Sequence, residues 1–236
     1  MKHVLLDILF PRRCPVCSQI VVPKGRLICP GCLKKLSFVR QPVCKKCGKE
    51  LMNEGEEFCF DCVRHKRSFE FGRALLNYDD VSGPSMARIK YHNKREYLDF
   101  YSQVMAARYE TVISRMNADA LIPIPIHRAR YRKRGFNQAQ VLAEKLGELL
   151  GIPVCPRALK RRKKTDPQKD LTAAQRLKNL EEAFEVGELP AGVRTVILID
   201  DIYTTGSTIE ACTRVLKKAG ISQVYFLTIC IGHNTG

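Results

Sequence analysis

The sequence predicts an α/β fold in which a mostly parallel sheet is flanked by helices and preceded by a small metal-binding domain. Two observations support this prediction. From residue 68 onward, short apolar runs alternate with helical patterns, as in a parallel sheet covered by helices. Before that point, eight cysteines fall into four Cys-x-x-Cys pairs. Because the cysteine pairs stop there, we place one domain at residues 1–67 and a second at residues 68–236.

The cysteine pairs predict zinc rather than disulfides. Eleven residues separate each pair from the next. A Cys-x-x-Cys pair lets two thiolates reach one ion, so two pairs complete a tetrahedral site. We therefore expect two structural Zn²⁺ ions; a disulfide framework is the alternative, disfavoured because the sequence shows no secretion signal. The candidate ligands are Cys14, Cys17, Cys29, Cys32, Cys44, Cys47, Cys59 and Cys62.

An internal repeat favours one pairing of these ligands. Shifting the sequence by 30 residues aligns Cys14–Cys32 with Cys44–Cys62 and also matches Gly25 with Gly55. We interpret this as a duplicated ribbon whose turn tip needs a permissive residue. Sequential sites, one in each half of the repeat, are therefore favoured over an interleaved arrangement. About 60 residues bury little core, so zinc would supply roughly 10–16 kcal/mol of folding free energy.

Apolar, β-branched runs predict the strands of the second domain, at Gly72–Tyr78, Leu121–Ile126, Ile152–Leu159, Val193–Ile199 and Gln223–Ile231. Helical patterns lie between them, near Pro84–Tyr91 and at Tyr97–Met116, Asn137–Leu150 and Ser207–Ala219. Pro123 and Pro125 end the second strand, and Gly151 stops the third helix. The cysteines outside the pairs, Cys155, Cys212 and Cys230, lie in apolar stretches and are predicted to be core. Sheets of this kind bind ligands at the carboxyl ends of their strands.

The most informative run extends from Val196 to Thr208. Four apolar residues predict a strand buried on both faces. They lead into Asp200 and Asp201, whose carboxylates can accept hydrogen bonds from a diol. Small hydroxyl and glycine residues then stand where a helix begins, so free N–H groups and the helix dipole can hold a phosphate. The run predicts a sugar-phosphate site; an ordinary strand–turn–helix junction with aspartate caps is the alternative.

This run resembles the phosphoribosyl-pyrophosphate (PRPP) motif of type I phosphoribosyltransferases. The resemblance implies that Asp200 and Asp201 bind the ribose hydroxyls and that Mg²⁺ accompanies PRPP. It also implies that one loop surrounds the 5′-phosphate, formed by Thr204, Thr205, Gly206, Ser207 and Thr208. The other common nucleotide loops, G-x-x-x-x-G-K-[ST] and G-x-G-x-x-G, do not occur in the sequence.

Positive charge is concentrated in two segments. The formal net charge is +16, which falls to about +12 if eight thiolates and two Zn²⁺ ions are present. We interpret Arg128–Arg134 as a basic loop near a pyrophosphate, with Arg132, Arg134 and Lys90 as candidate ligands. Arg157–Lys164 begins a predicted lid at residues 160–170. A nucleic-acid surface and a plain solvated surface are the alternatives for these basic segments.

Further segments resemble the ComF family. Pro123–His127 with Arg134–Gln138 is similar to its pyrophosphate-loop region, and Thr165–Phe184 to its mobile loop and following helix. Leu9–Cys17 is similar to its N-terminus, although Ser18 stands where glycine is usual. The resemblance implies a type I phosphoribosyltransferase domain behind a double zinc ribbon. It further implies a role in natural competence, handling incoming single-stranded DNA beside a ComFA-like helicase, or in using DNA as a nutrient.

Several functional alternatives remain open from sequence. A phosphoribosyltransferase with an unknown acceptor is the leading interpretation, with His127 as a candidate general acid or base or else a surface hydrogen-bonding residue. A non-catalytic module that senses PRPP and binds single-stranded DNA is the rival, and nucleobase salvage is a third class. The chain has no apolar run long enough to span a bilayer, so we expect a cytoplasmic protein without membrane insertion. Val4–Phe10 is expected to form a docking turn.

Overall fold

The computed structural model describes residues 11–162 and 173–232. The expected docking turn at Val4–Phe10 and most of the expected lid at residues 160–170 lie outside the described residues. The first part of the described chain contains α1 (Pro30–Leu33), α2 (Phe60–Arg64), β1 (Gly72–Asn77), α3 (Ser82–Tyr91), α4 (Tyr97–Met116), β2 (Ala120–Pro123), α5 (Arg128–Arg134) and α6 (Gln138–Leu150). The rest contains β3 (Leu159–Arg161), α7 (Ala173–Glu181), β4 (Phe184–Val186), β5 (Thr195–Tyr203), α8 (Ser207–Lys218) and β6 (Gln223–Ile231).

A parallel sheet of order β1-β6-β5-β2 forms the centre of the molecule. In its register Ile197 of β5 lies beside Leu121 of β2, and Leu198 lies beside Phe226 of β6. Helices α3, α4 and α6 pack on one face, while α8 and the β3–β4 hairpin pack on the other. The four apolar residues of β5 that precede the acidic pair, Val196–Ile199, are completely buried, because the strand is covered on both faces. The predicted α/β fold class is confirmed.

The two cysteine ribbons, residues 14–32 and 44–62, lie on opposite faces of this sheet. Ribbon 1 shares an apolar cluster with α3 and α4, through Cys14, Val21 and Ile28. Ribbon 2 shares a cluster with the α8 face, where Leu51 belongs to the same buried set as Phe226. The small domain therefore completes the hydrophobic core of the large one on both sides.

The segment between the ribbons pairs with the edge strand β1. The N–H of Val39 donates to the carbonyl of Leu75 at 3.1 Å, and that of Asn77 donates to the carbonyl of Ser37 at 2.8 Å. Phe38 forms an antiparallel bridge with Leu76. An uncovered edge strand offers unpaired N–H and C=O groups to other chains, so this segment protects one edge of the sheet.

The predicted strand at Ile152–Leu159 is wrong over most of its length. Only Val154 bridges β2, where Cys155 N–H donates to the carbonyl of Leu121 at 2.9 Å. Proline at 153 and 156 leaves two positions without an N–H donor, so the ladder cannot extend. The regular strand begins at Leu159 instead and pairs in antiparallel fashion with β4, which the sequence interpretation did not predict.

The strand β2 ends at Pro123 rather than at Ile126, and two further differences from the prediction bear on the site. The segment Arg128–Arg134, interpreted as a loop, is the helix α5, and it ends at Gly135 in the left-handed conformation. The strand β5 continues past Ile199 through the acidic pair to Tyr203, because it stays paired with β6 as far as Ile231. Both differences change which side chains face the site described next.

Candidate functional site

The eight paired cysteines form two clusters, and their pairing is sequential as predicted. One cluster contains Cys14, Cys17, Cys29 and Cys32, and the other contains Cys44, Cys47, Cys59 and Cys62. Within each cluster the sulfur atoms lie within 4.8 Å of one another. Tetrahedral zinc with Zn–S bonds of about 2.3 Å needs sulfurs roughly 3.8 Å apart. Each cluster therefore fits one Zn²⁺ ion.

The backbone around the clusters favours thiolates. Burial opposes ionisation of Cys14, but backbone N–H groups, first that of Cys29, outweigh it and lower its pKa to about 7. In ribbon 2, Cys47 N–H points to Cys44 Sγ at 3.5 Å. Ser18 and Gly48 follow the first pair of each ribbon with φ of 62° and 76°. Serine thus adopts the left-handed conformation that glycine adopts in ribbon 2.

Of the two glycines matched by the repeat, only Gly25 has a backbone conformation that favours glycine. Gly25 has a φ of 90°, a conformation that side chains rarely adopt. Gly55 also lies in a turn, but it is absent from the positive-φ glycines of the described residues, so that turn does not require the conformational freedom of glycine. The sequential pairing nevertheless stands on the sulfur positions themselves.

The carboxyl ends of β2 and β5 open into a cavity of about 790 Å³. It lies where parallel α/β sheets place their ligands. The polar and charged side chains that line it are Lys90, Tyr91, Asn93, Arg130, Lys133, Arg134, Gln138, Arg161, Asp200, Asp201 and Thr208. The wall formed by α3, α5 and β3 is cationic, while the end of β5 is anionic.

Asp200 and Asp201 approach this cavity from opposite faces of the sheet, because successive side chains of a strand alternate. Ile197 and Ile199 belong to the core on the α6 face, so Asp201 continues that face, and Asp200 continues the α8 face. Asp201 forms an ion pair with Lys90, and Gln138 Nε2 donates to its Oδ1 at 3.1 Å. Gln138 in turn accepts a hydrogen bond from Arg134. A continuous polar chain from α5 through α6 to α3 therefore holds Asp201.

The two carboxyl groups have opposite pKa shifts. Burial, together with the charge of Asp201, raises the pKa of Asp200 well above its ordinary value. Burial also opposes ionisation of Asp201, but the ammonium group of Lys90 outweighs it and lowers the pKa of that carboxyl. The site therefore holds one firmly ionised carboxylate beside one that resists ionisation.

This asymmetry predicts a pH effect on stability. Because the folded pKa of Asp200 is raised, its stabilising contribution is present at low pH and is lost as pH rises through the folded pKa. Asp201 has the opposite sign, and its contribution is lost as pH falls through its lowered pKa. We expect Asp200→Asn to stabilise the ligand-free, zinc-loaded protein by on the order of 1 kcal/mol more at about pH 8 than at about pH 5.

Urea denaturation at several pH values measures this difference. Glu188→Gln is the control, because it removes one negative charge from an exposed position outside the cavity lining. A constant difference between wild type and Asp200→Asn across that pH range would contradict the prediction.

The segment Thr204–Thr208 contains the turn before α8 and the first two residues of that helix. Gly206 stands immediately before the helix with a φ of 74°, and a Cβ there would lie 2.1 Å from Tyr203 Oη. Thr205 Oγ1 and Ser207 Oγ lie 2.9 Å apart, and Thr208 lines the cavity. The N–H groups of the first turn of a helix lack intrahelical partners, so this loop can hold a phosphate.

The structure separates the predicted cationic candidates. Lys90 and Arg134 line the cavity, whereas Arg132 lines a neighbouring concavity on the other side of α5. Residues at 130, 133 and 134 share a helix face, and residue 132 does not. His127 does not line the cavity; its Nδ1 accepts from the N–H of Ala129 at 3.2 Å and caps α5.

Six polar cavity residues were not among the predicted site residues: Arg130, Lys133, Gln138, Arg161, Tyr91 and Asn93. Helical periodicity applied to Arg128–Arg134 would have selected the first two, had that segment been treated as a helix. Gln138 begins α6 directly after the capping residue Asn137, a helix start that was predicted. Arg161 belongs to the basic segment Arg157–Lys164 and to the predicted lid, but its place in the cavity wall depends on the hairpin with β4, which was not predicted.

Comparison with known proteins agrees with this arrangement. Residues 5–63 match the family model described as a double zinc ribbon domain, and residues 117–235 match the phosphoribosyl transferase domain. The Haemophilus influenzae protein named Competence protein F is 30% identical over 226 residues, covering 91% of this chain and 95% of that protein. Competence protein ComFC of Bacillus subtilis is 27% identical over 199 residues, covering 82% of this chain and 79% of the relative.

Two more distant similarities complete the comparison. The Escherichia coli K12 protein named DNA utilization protein YhgH is 26% identical over 222 residues, covering 92% of this chain and 89% of that protein. The purine phosphoribosyltransferase from Pyrococcus horikoshii Ot3 is 18% identical with a TM-score of 0.35, covering 57% of this chain and 73% of that one. This last similarity is too distant to bear on the substrate.

Fold, site and family matches together define the class of protein: a phosphoribosyltransferase domain behind a double zinc ribbon. Since a 30% identical relative aligns along almost its whole length, the chain belongs to the ComF family. Among the described residues, no helix combines the length and apolarity needed to cross a membrane.

Proposed function

We propose that the cavity binds PRPP together with Mg²⁺, and that the protein handles incoming single-stranded DNA in the cytosol during natural competence. The observation that carries the first part is the acidic pair at the end of β5, which faces a cationic wall across one cavity. The second part is supported by the Haemophilus influenzae and Bacillus subtilis relatives, which are named as competence proteins. Use of DNA as a nutrient is the variant suggested by the name of the Escherichia coli relative.

The geometry supports a specific placement of PRPP. A ribose at the end of β5 would meet Asp200 from one face of the sheet and Asp201 from the other, as acceptors for its hydroxyl groups. The 5′-phosphate would lie against Thr204–Thr208, at the N-terminus of α8. The pyrophosphate would face Arg130, Lys133 and Arg134, whose positive charges oppose the negative charge that develops as it leaves.

The donor set also fits Mg²⁺, which prefers oxygen ligands. Asp200 and Asp201 are the carboxylates of the cavity lining that would hold the ion, directly or through water. When bound, Mg²⁺ neutralises charge on the departing pyrophosphate. Apart from this, the chain's own side chains position the ribose and phosphates, and transfer to a nitrogen acceptor needs no covalent nucleophile from the protein.

Calorimetric titration of zinc-loaded protein with PRPP and Mg²⁺ tests the binding. Asp200→Asn/Asp201→Asn keeps the side-chain shapes but removes both charges, and we expect at least a hundredfold loss of affinity, equivalent to about 2.7 kcal/mol. Glu148→Gln/Glu188→Gln removes the same charge from exposed positions outside the cavity lining and should bind as wild type does. A wild type that shows no heat of binding, or equal binding by both double variants, would refute the proposed site.

Turnover is a separate question, because a non-catalytic PRPP sensor would bind equally well. Pyrophosphate release in the presence of nucleobases or single-stranded DNA distinguishes a transferase from a sensor. Release with a nucleobase would point to salvage, while binding without release under any acceptor would support the sensor. A ComFA-like helicase remains the proposed protein partner.

A further inference from the structure

The helix α5 has two cationic faces that point in opposite directions. At 100° per residue, Arg130, Lys133 and Arg134 cluster on one side of the helix, and Arg128, Tyr131 and Arg132 cluster on the other. The first set lines the 790 Å³ cavity. The second set, with Ile126, lines a separate open concavity of about 440 Å³, which we call the outer face of α5.

Among the described residues, no acidic group forms an ion pair with the arginines of the outer face, Arg128 and Arg132. The other basic segment differs: Arg157 pairs with Glu188 at 3.0 Å, and Arg162 pairs with Glu185. A phosphate that approaches the outer face therefore meets guanidinium groups without having to displace a carboxylate.

An exposed aromatic ring lies beside these two charges on the same side of the helix. Tyr131 is 48% exposed. It lies in the middle of α5, a helix that is capped by His127 at its start and by Gly135 at its end. At 100° per residue, Tyr131 lies about 60° from Arg128 and about 100° from Arg132 around the helix, so one side of the helix presents two cations with a ring next to them. Single-stranded nucleic acids are bound in this way, with bases stacked on aromatic rings and backbones held by positive charges.

We infer that the outer face of α5 binds single-stranded DNA, with a base stacked on Tyr131 and the flanking phosphates held by Arg128 and Arg132. This inference rests on the proposed handling of single-stranded DNA and assigns it to residues. Because the two cationic sets face opposite directions, DNA and PRPP occupy different surfaces of one helix. PRPP at saturating concentration therefore leaves DNA bound.

Fluorescence anisotropy with a labelled oligothymidylate of about 20 nucleotides, longer than typical single-domain site sizes, tests this assignment across a range of salt concentrations. Tyr131→Leu removes the ring but keeps a helix-forming apolar residue, and we expect about a tenfold weaker complex. Arg128→Gln/Arg132→Gln should reduce the salt slope by about 1.4, since each lost phosphate contact on a single strand contributes about 0.7.

Two matched variants separate local contacts from bulk charge. Arg115→Gln/Arg194→Gln removes two charges at the amino edge of the sheet, and its salt slope should equal that of wild type. Arg130→Gln/Lys133→Gln alters the cavity face and should weaken PRPP without changing the DNA slope. Melting temperatures of all variants confirm that they remain folded.

The outcomes distinguish two failures. Wild-type protein that binds no oligothymidylate would refute the proposed handling of single-stranded DNA itself. Wild-type binding that all three outer-face substitutions leave unchanged, or that the amino-edge variant reduces equally, would overturn the assignment to the outer face. Preference for duplex DNA or for anionic vesicles over the oligothymidylate, with the same residues responsible, would also overturn it.

Discussion

Cys47→Ser is expected to remove one of two zinc ions and to lower the melting temperature by on the order of 10–20 °C. Cys47 is 1% exposed and belongs to the apolar cluster that joins ribbon 2 to the α8 face of the sheet. Structural zinc supplies roughly 10–16 kcal/mol in small domains, whereas whole proteins are stable by about 5–15 kcal/mol. Even a loss of about 5 kcal/mol corresponds to this shift for a chain of this size.

Metal analysis and calorimetry of three variants test this expectation. Cys14→Ser should remove only the ion of ribbon 1, because the two clusters contain separate ligand sets. Cys155→Ser is the matched control, a half-buried cysteine outside both clusters that should retain two ions. Loss of both ions from either single variant would contradict independent sites, and full retention by Cys47→Ser would contradict the ligand assignment.

Gly206→Ala is expected to cost about 3 kcal/mol of stability and to weaken PRPP binding about a hundredfold. A φ of 74° costs an alanine roughly 1–2 kcal/mol, and the added Cβ would lie 2.1 Å from Tyr203 Oη. Tyr203 cannot retreat, because it is 3% exposed and stacks on Phe226 with ring centroids 4.9 Å apart. The loop must shift instead, which would remove about two charge-assisted hydrogen bonds from the proposed 5′-phosphate site.

Gly192→Ala is the control that separates the stability cost of a positive φ from the cost of the close contact with Tyr203. Gly192 has a similar φ of 85°, but nothing lies within 4 Å of its added Cβ. Its variant should lose only about 1 kcal/mol and should bind PRPP as wild type does. Denaturation and calorimetric titration measure both quantities. If the two variants lost equal stability, the close approach of Tyr203 to Gly206 would not restrict the loop as we describe.

Local patterns predicted much of the fold. The helix at Tyr97–Met116 and the strand at Gln223–Ile231 match the structure at both ends, since each combines a continuous periodicity with clear terminators. The strand predicted at Ile152–Leu159 is wrong because this apolar run contains two prolines. It forms a single bridge with β2 and does not continue as a strand. Strand propensity can be estimated from one segment alone, whereas hydrogen-bonded pairing also depends on the neighbouring strand.

The candidate site divides in the same way. The acidic pair and the loop after it could be selected from sequence, because they belong to one short contiguous motif. The ion pair between Lys90 and Asp201 could not, since α3 and β5 are far apart in the chain. The opposite pKa shifts of Asp200 and Asp201 depend on the same long-range packing.

By itself, the sequence determined the members of two cysteine clusters, their sequential pairing and the position of the loop for which we propose a phosphate. These features are local, because short spacings restrict which thiolates can share an ion and where a helix can begin. Only the tertiary structure decided that Arg130 and Arg134 face the cavity while Arg132 faces away. It also decided that the ribbons enclose the edge strand β1 from both faces. Those outcomes depend on burial of surfaces from distant parts of the chain, which no local spacing encodes.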